Sequence, residues 1–247
     1  MELTKSDLNF ILSRCPRDII KLLRQNPKEL YIAGGFIRAT IAGEKISDID
    51  LFGKSAERLL TIAKDLTLAR KGRFFTTENA ITVLRHPRHP VQFITRWLFA
   101  EPKALIKSFD FTICQAVIWA EEIKVSTINT NPGETTPETK TIFKSMISES
   151  FYPDLAAKRL VYTSPVREEA AGGSMMRVIK FIKKGYNIQA PSIAGVIARI
   201  AAKLDFKREP KEQWIKVVIT GLLREVDPMI VVDGVDFLDE HEVIGNE

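Results

Sequence analysis

Two aspartates two residues apart, Asp48 and Asp50, lie in the alternating run SDIDLF, residues 47–52. Strict alternation is strand periodicity, and positions i and i+2 of a strand project from one face, so the two Cα atoms stand roughly 7 Å apart. Carboxylates placed in this way can share Mg²⁺, which prefers oxygen ligands and substrate phosphates. Ile49 between them points into the core and fixes the face. Upstream, LYIAG (30–34) is a short apolar strand that runs into Gly34-Gly35, and Phe36 to Ala42 reads as a short helix. Paired glycines let backbone N–H groups come close to a phosphate, and the helix that follows turns its positive N-terminus toward the same place. Arg38, one turn into that helix, would complete the anion site. The chemistry that these residue types and spacings fit is metal-assisted handling of phosphate groups.

The elements that must position these side chains follow from the surrounding pattern. Leu8 to Leu23 reads as one or two amphipathic helices broken near Pro16. Ser55 to Leu68 carries apolar residues at helical spacing, with Ser55 as a candidate N-cap. ITVLR (81–85) and VQFITRW (91–97) read as paired strands joined at HPRHP, and TICQAVIWA (112–120) with IKVSTI (123–128) as another hairpin. The polar stretch TINTNPGETTPETK, 127–140, is the nearest thing to a boundary. Beyond it Glu168 to Lys184, Ser192 to Leu204 and Lys211 to Leu223 all read as helices. The expected fold class is therefore α+β: a mixed sheet flanked by helices, followed by a small all-α domain. The expected organisation is a catalytic head over 1–135, a helical neck- or body-like domain over 136–226 and an acidic C-terminal segment over 227–247.

Composition narrows the setting. The 247 residues are 45% hydrophobic and 27% charged, which is ordinary for a globular chain and excludes disordered and fibrous classes. No window approaches the roughly 20 apolar residues of a membrane span, and the N-terminus lacks the pattern of a signal peptide. Cys15 and Cys114 form no CxxC pair and sit near no histidine cluster, which points to a reducing, cytoplasmic setting. His86 and His89, in HPRHP, read as a surface turn rather than a metal pair. Net charge is +5, but eight acids and no Lys or Arg lie between Glu225 and Glu247, which leaves +13 on the rest. A body this basic suits a polyanionic partner such as RNA, DNA or nucleotide phosphates.

The segment 30–52 resembles the signature of the polymerase β-like nucleotidyltransferase superfamily: a strand, GG-x-V-R-D, then DxD on the next strand. Within it, the chain is similar to the class II group of tRNA CCA-adding enzymes and bacterial poly(A) polymerases. GGFIRA fits that signature, with Ala39 where the family has Asp. VQFITRW is similar to the family's strand ending in T-F-R, with Arg96 on the arginine. FDFTICQAV (109–117) is similar to R-R-D-F-T-I-N-A-L and places Asp110 on its aspartate. MMRVIKFIKKGY (175–186) is similar to the helix L-R-x-x-R-F-x-x-x-L-G-F and places Arg177 on its leading arginine and Lys180 on the second. Ser108-Phe109 replaces the family's basic pair, Ser174 replaces an arginine, and no E-D-x-x-R element is evident.

The resemblance implies transfer of a nucleotide from an NTP, ATP or CTP, to a hydroxyl, with pyrophosphate released and Mg²⁺ or Mn²⁺ as cofactor. Asp48 and Asp50 would hold the metals, and Gly34, Gly35, Arg38 and Arg177 would hold the nucleotide. Asp110 is the candidate third acid, while Gln92 stands where related folds place theirs on a strand beside the DxD strand. The leading expectation is addition to the 3′ end of a tRNA or similar RNA. Transfer to a protein or small molecule, as in toxin- or defence-like enzymes, is the second reading. A binding module that keeps the fold without catalysis is the third.

Overall fold

The computed structural model describes residues 1–128, 135–163, 171–202, 212–213 and 215–216. They belong to two compact units, Met1–Ala156 and Ala157–Glu247. The first opens with α1 (Lys5–Arg14) and α2 (Arg17–Gln25). The Thr4 hydroxyl caps α1 by accepting from the Asp7 N–H at 3.1 Å. Pro16 caps α2 with φ −55°, where its missing N–H costs no helical hydrogen bond.

A repeating strand-and-helix run then builds the centre: β1 (Leu30–Ala33), α3 (Gly35–Ala42), β2 (Ile49–Gly53) and α4 (Ala56–Arg70). There follow β3 (Arg73–Thr76), β4 (Ala80–Leu84), β5 (Val91–Ile94) and α5 (Pro102–Lys107). A single 3-10 turn at Thr112–Cys114 leads into β6 (Ala116–Ile128), β7 (Thr135–Ile147) and α6 (Phe151–Ala156). The seven strands form one mixed sheet in the order β3-β4-β5-β2-β1-β6-β7. β2 and β5 run parallel, and the other neighbours antiparallel.

Burial follows the alternation of the strands. Ile49 and Leu51 of β2 are fully buried, while Asp50 and Phe52 turn to the other face. On that face Phe52 joins Tyr31, Ala33 and Val117 in a core cluster closed by Leu105 and Ile106 of α5. α4 packs against β2, β4 and β5 and buries Leu59, Ile62, Ala63 and Leu66 at helical spacing. The Ser55 hydroxyl caps it by accepting from the Arg58 N–H. Register sets the site: Tyr31 opposes Phe52 and Ile32 opposes Leu51, so the next step brings the end of β1 beside Asp50.

The structure departs from the sequence expectations in three places. RFFT forms β3, an exposed edge strand of four residues whose two adjacent phenylalanines show no alternation. The hairpin expected within 112–128 is instead one long strand, β6, and its partner is β7. Glu121-Glu122 continues the strand by pairing with Ile142 and Thr141 of β7, and the Lys28 ammonium meets Glu121 at 2.6 Å. Of the polar stretch 127–140, residues 127–128 end β6 and residues 135–140 open β7, with Pro137 tolerated because β7 is the sheet's edge. The strand expected from Thr112 starts later: Thr112–Cys114 form the 3-10 turn, and β6 begins only at Ala116.

The second unit has β8 (Arg159–Leu160), α7 (Ala171–Lys183), β9 (Asn187–Ile188) and α8 (Ala190–Ala201). β8 and β9 make a two-residue parallel pair, and Leu160, Val178, Phe181, Tyr186, Val196 and Ile200 are buried. The acidic segment 227–247, Trp214 and most of the helix expected over Lys211–Leu223 lie outside the described residues. Among those described, no helix is long and apolar enough to cross a membrane.

Candidate active site

The turn between β1 and α3 depends on Gly34. Its φ of 74° and ψ of −119° lie where side chains are excluded, and a Cβ there would stand 2.9 Å from Cε1 of Phe109. Its N–H still donates to the Ala116 carbonyl at 3.0 Å, so the turn starts from a pinned strand. Gly35 is the first residue of α3, and a Cβ on it would meet nothing within 4 Å. The turn therefore offers open backbone at the positive end of an eight-residue helix.

Arg38, the expected phosphate ligand, is buried in α3 and directed toward Glu44 and Cys114. Nη2 donates to Glu44 Oε2 at 3.3 Å and Nη1 to Cys114 Sγ at 3.8 Å. Glu44 is held in place by the end of α3, where Gly43 takes a left-handed φ of 66° and the Glu44 N–H returns to the Ala39 carbonyl at 2.9 Å. Glu44 and Cys114 were missed in the sequence. A glycine-ended helix followed by an acid is a faint signal, and the reach to Cys114 is purely tertiary.

Asp50 lies in β2 and Asp48 just before it, both half-buried. Ser47 Oγ donates to Asp48 Oδ1 at 2.7 Å. The Asp50 carboxyl is pushed up to about 8, first by burial and then by the charge of Asp48, with the Arg38 guanidinium pulling it back. The charge of Asp48 thus works against ionisation of Asp50, and that of the buried Arg38 favours it. On the neighbouring strand Gln92 stands in register with Asp50, and Thr82 in register with Gln92. The third position on this sheet is therefore an amide rather than an acid.

Asp110 is buried. Its neighbour Phe109 rests on Gly34, which brings the 108–110 segment to the glycine turn. Thr112 Oγ1 donates to the buried Asp154 at 2.5 Å and ties the 3-10 turn to α6. Arg177 lies on α7 in the second unit, with Lys180 exposed on the same helix and Ser174 buried one turn before it. Arg96 donates to Asn79 Oδ1 at 3.0 Å and stacks over Trp97 at the far end of β5. The HPRHP turn is tied to the core by Arg70, which donates to the His89 carbonyl at 3.3 Å.

Asp48 and Asp50 are hard oxygen donors whose repulsion a divalent cation would relieve. Among the described residues they belong to no cluster of three or more His, Cys, Asp or Glu. Two carboxylates fit Mg²⁺, which commonly takes one or two protein carboxylates and completes its shell with water and substrate phosphates.

The family described as Gad2, Gabija anti-defense 2 family protein, matches residues 2–158. No curated protein matches the sequence. Among solved structures the chain is similar to the Thermotoga maritima CCA-adding enzyme complexed with tRNA, at 16% identity and TM-score 0.51 over 78% of this chain and 45% of that one. It is also similar to a CCA-adding enzyme with ATP, at 18% identity and TM-score 0.53 over 78% and 45% of the two chains. An apo CCA-adding enzyme matches at 15% identity and TM-score 0.51 over 90% and 54%. The chain spans about half the length of these enzymes, and at such identity the likeness shows the nucleotidyltransferase fold alone.

Proposed function

The chain belongs to the Gabija anti-defense 2 family, and on that premise we propose that it is a metal-dependent nucleotidyltransferase whose reaction counters the Gabija defence. The observation that carries this reading is the pair Asp48 and Asp50 at the start of β2, beside the Gly34-Gly35 turn that opens α3. Asp48 and Asp50 would hold Mg²⁺ or Mn²⁺. Such a metal would polarise the α-phosphate and neutralise charge that develops there.

The chain's own groups divide the remaining work. The turn and the N-terminus of α3 take the triphosphate of ATP or CTP through backbone N–H groups. Arg38, ion-paired with Glu44, holds a fixed positive charge behind the carboxylates and positions Asp50 rather than gripping phosphate. Asp110 is the third acid: it orients the acceptor hydroxyl and receives its proton. The hydroxyl oxygen bonds to the α-phosphorus, the bond to the β-phosphate breaks, and pyrophosphate leaves.

The family description favours an acceptor within the defence, a protein side chain or small molecule, over an ordinary cellular RNA. A second reading, addition to an RNA 3′ end, is supported by the tRNA-bound neighbour and by the +13 charge of residues 1–224.

Both are tested by supplying each α-³²P NTP with Mg²⁺ or Mn²⁺ to the full chain, with lysate of Gabija-bearing cells or with purified total RNA. The Asp48→Ala, Asp50→Ala variant runs alongside. Label on protein or a small product, lost in the variant, supports the defence-directed transfer. Label in RNA supports the second reading. If neither is labelled and the variant still counters Gabija in cells, the protein acts by binding and the catalytic proposal fails.

A further inference from the structure

One end of the mixed sheet gathers more than the carboxylates. β2 runs parallel to β5, while β1 is antiparallel to β2, β4 to β5 and β3 to β4. The starts of β2, β3 and β5 therefore lie at the end where β1 and β4 finish. Asp48 stands there with the glycine turn on one side; on the other come the HPRHP turn and the segment Lys71–Arg73. The Ile49 N–H donates to the Pro90 carbonyl at 3.0 Å, so the HPRHP turn ends one strand away from Asp48. Resting on the nucleotidyl-transfer reading above, we infer that Lys71, Arg73 and Arg85 form a second phosphate site, which holds a phosphate of the acceptor.

Three observations converge. First, Phe75, Thr82, Gln92 and Asp50 oppose one another in successive pairs and so share one face of the sheet. Arg73 precedes Phe75 by two residues and joins that face. It lies three strands from Asp50, or about 14 Å between Cα lines, a span that an extended arginine and a ribose phosphate can share. Second, a Cβ on Gly72 would stand 3.4 Å from Cβ of Arg85, which places Arg85 against the Lys71–Arg73 segment. All three cations are exposed, and none makes an ion pair among the described residues. Lys71 caps α4 and answers the negative end of that helix. Arg73 and Arg85 lie outside it, and their like charges repel until an anion comes between them.

Third, the turn that presents Arg85 is fixed. The Arg88 N–H donates to the Arg85 carbonyl at 2.7 Å. The buried Arg70 donates to both carboxylate oxygens of Asp18 and, at 3.3 Å, to the His89 carbonyl. Arg88 reaches the same Asp18 at 2.9 Å. Such fixing lowers the cost of ordering on binding. The glycine turn serves the donor triphosphate, and a cationic site beyond the carboxylates serves phosphate that arrives with the other substrate. The acceptor is thus a phosphorylated molecule, a free nucleotide or the end of a nucleic-acid strand, and not an unmodified protein side chain.

The test supplies each α-³²P NTP and Mg²⁺ to the full chain with one acceptor probe at a time: mixed ribonucleosides, mixed nucleoside 5′-monophosphates or a random RNA hexamer. Label is expected in the monophosphates or the hexamer, whichever source the site takes, and not in the nucleosides. Arg73→Gln and Arg85→Gln are each expected to raise the acceptor KM roughly tenfold, the loss of one charge-assisted hydrogen bond. Binding of the α,β-methylene analogue of ATP is expected to stay parental in both. Arg85→Lys keeps the charge and should keep most of the acceptor affinity. Lys54→Gln removes an equal charge just past the other end of β2 and should change neither quantity. Nucleosides labelled as well as monophosphates, label only on protein of a lysate from Gabija-bearing cells, or a parental KM in both arginine variants would each overturn the inference. A wild-type protein that binds the ATP analogue and labels none of the probes would overturn the phosphorylated acceptor alone. One that does not bind the analogue would overturn the nucleotidyl-transfer reading with it.

Discussion

Replacing Gly34 and Gly35 in turn separates what the turn needs in order to fold from what it needs in order to bind. In Gly34→Ala the new Cβ must adopt φ 74° and ψ −119°, a conformation that costs a non-glycine residue about 1–3 kcal/mol. It must also displace the Phe109 ring, which stands 2.9 Å away. Inserting a methyl into packed surroundings costs about 1–3 kcal/mol, and the low end applies because a half-exposed ring can shift. The expected loss is about 2–5 kcal/mol, or roughly 5–15 °C in Tm at this chain length. Gly35→Ala meets no neighbour and sits in a helical position, where alanine gains about 0.4–1 kcal/mol by restricting the unfolded chain. Its methyl, however, stands where a phosphate would approach the backbone. Gly35→Ala should therefore be as stable as the parent and bind tripolyphosphate at least tenfold more weakly. Thermal unfolding and calorimetry on both variants decide the matter. Parental Tm in Gly34→Ala refutes the conformational argument, and parental tripolyphosphate affinity in Gly35→Ala refutes the phosphate cradle.

Three further outcomes follow from the same geometry. Burial pushes the Asp18 carboxyl up, but the hydrogen bond and charge of the buried Arg70 outweigh it, so its folded pKa lies below the ordinary value. Its stabilising contribution is thus complete above the unfolded pKa near 4 and lost as pH falls through the folded one; Asp18→Asn should lower Tm at pH 7, flatten its fall in acid, and would sink this account by leaving both unchanged. Burial, and then the charge of Asp18, pushes the Cys15 thiol up to about 12, and Cys114 is buried as well. An aromatic disulfide reagent at pH 8 should modify neither thiol within minutes and both after denaturation, whereas prompt modification of the native protein would contradict the packing. Gln92→Glu would put a third carboxylate in register with Asp50 and should tighten Mn²⁺ binding measured by electron paramagnetic resonance, an effect that would be absent if this side chain faced away from the pair.

The sequence made the site's skeleton readable because that skeleton is local. Gly34-Gly35, Arg38 and Asp50 lie within one strand–turn–helix–strand unit, and alternation put Asp50 on the face opposite Ile49 and Leu51, whereas Asp48 precedes the strand. What it could not show was set at a distance. Arg38 looks like a phosphate ligand by its spacing from the glycines, yet it turns inward because Glu44 and the 3-10 turn carrying Cys114 supply partners there. The strand β7 was hidden because its residues are polar and include Pro137, which only an edge position accepts. Phe109 reads as a departure from a basic pair, and only the fold shows that its ring has Gly34 as a neighbour.

The charges around the turn also argue for the ion the site would take. Asp50 feels the charges of Asp48 and Arg38, and Arg38 is paired with Glu44, so these four described groups, Asp110 left aside, carry a formal −2 when all are ionised. Arg38 is already held by Glu44, and the Asp50 carboxyl stays raised, first by burial and then by the charge of Asp48, with Arg38 pulling the other way. One divalent ion balances the group, whereas a monovalent one leaves an excess that burial makes costly. The neutral Gln92 keeps the balance at that value, since an acid in its place would raise the formal charge to −3 and call for more than one divalent ion. The amide is therefore consistent with a site that uses one protein-held metal and relies on the triphosphate to bring in and ligate any second one.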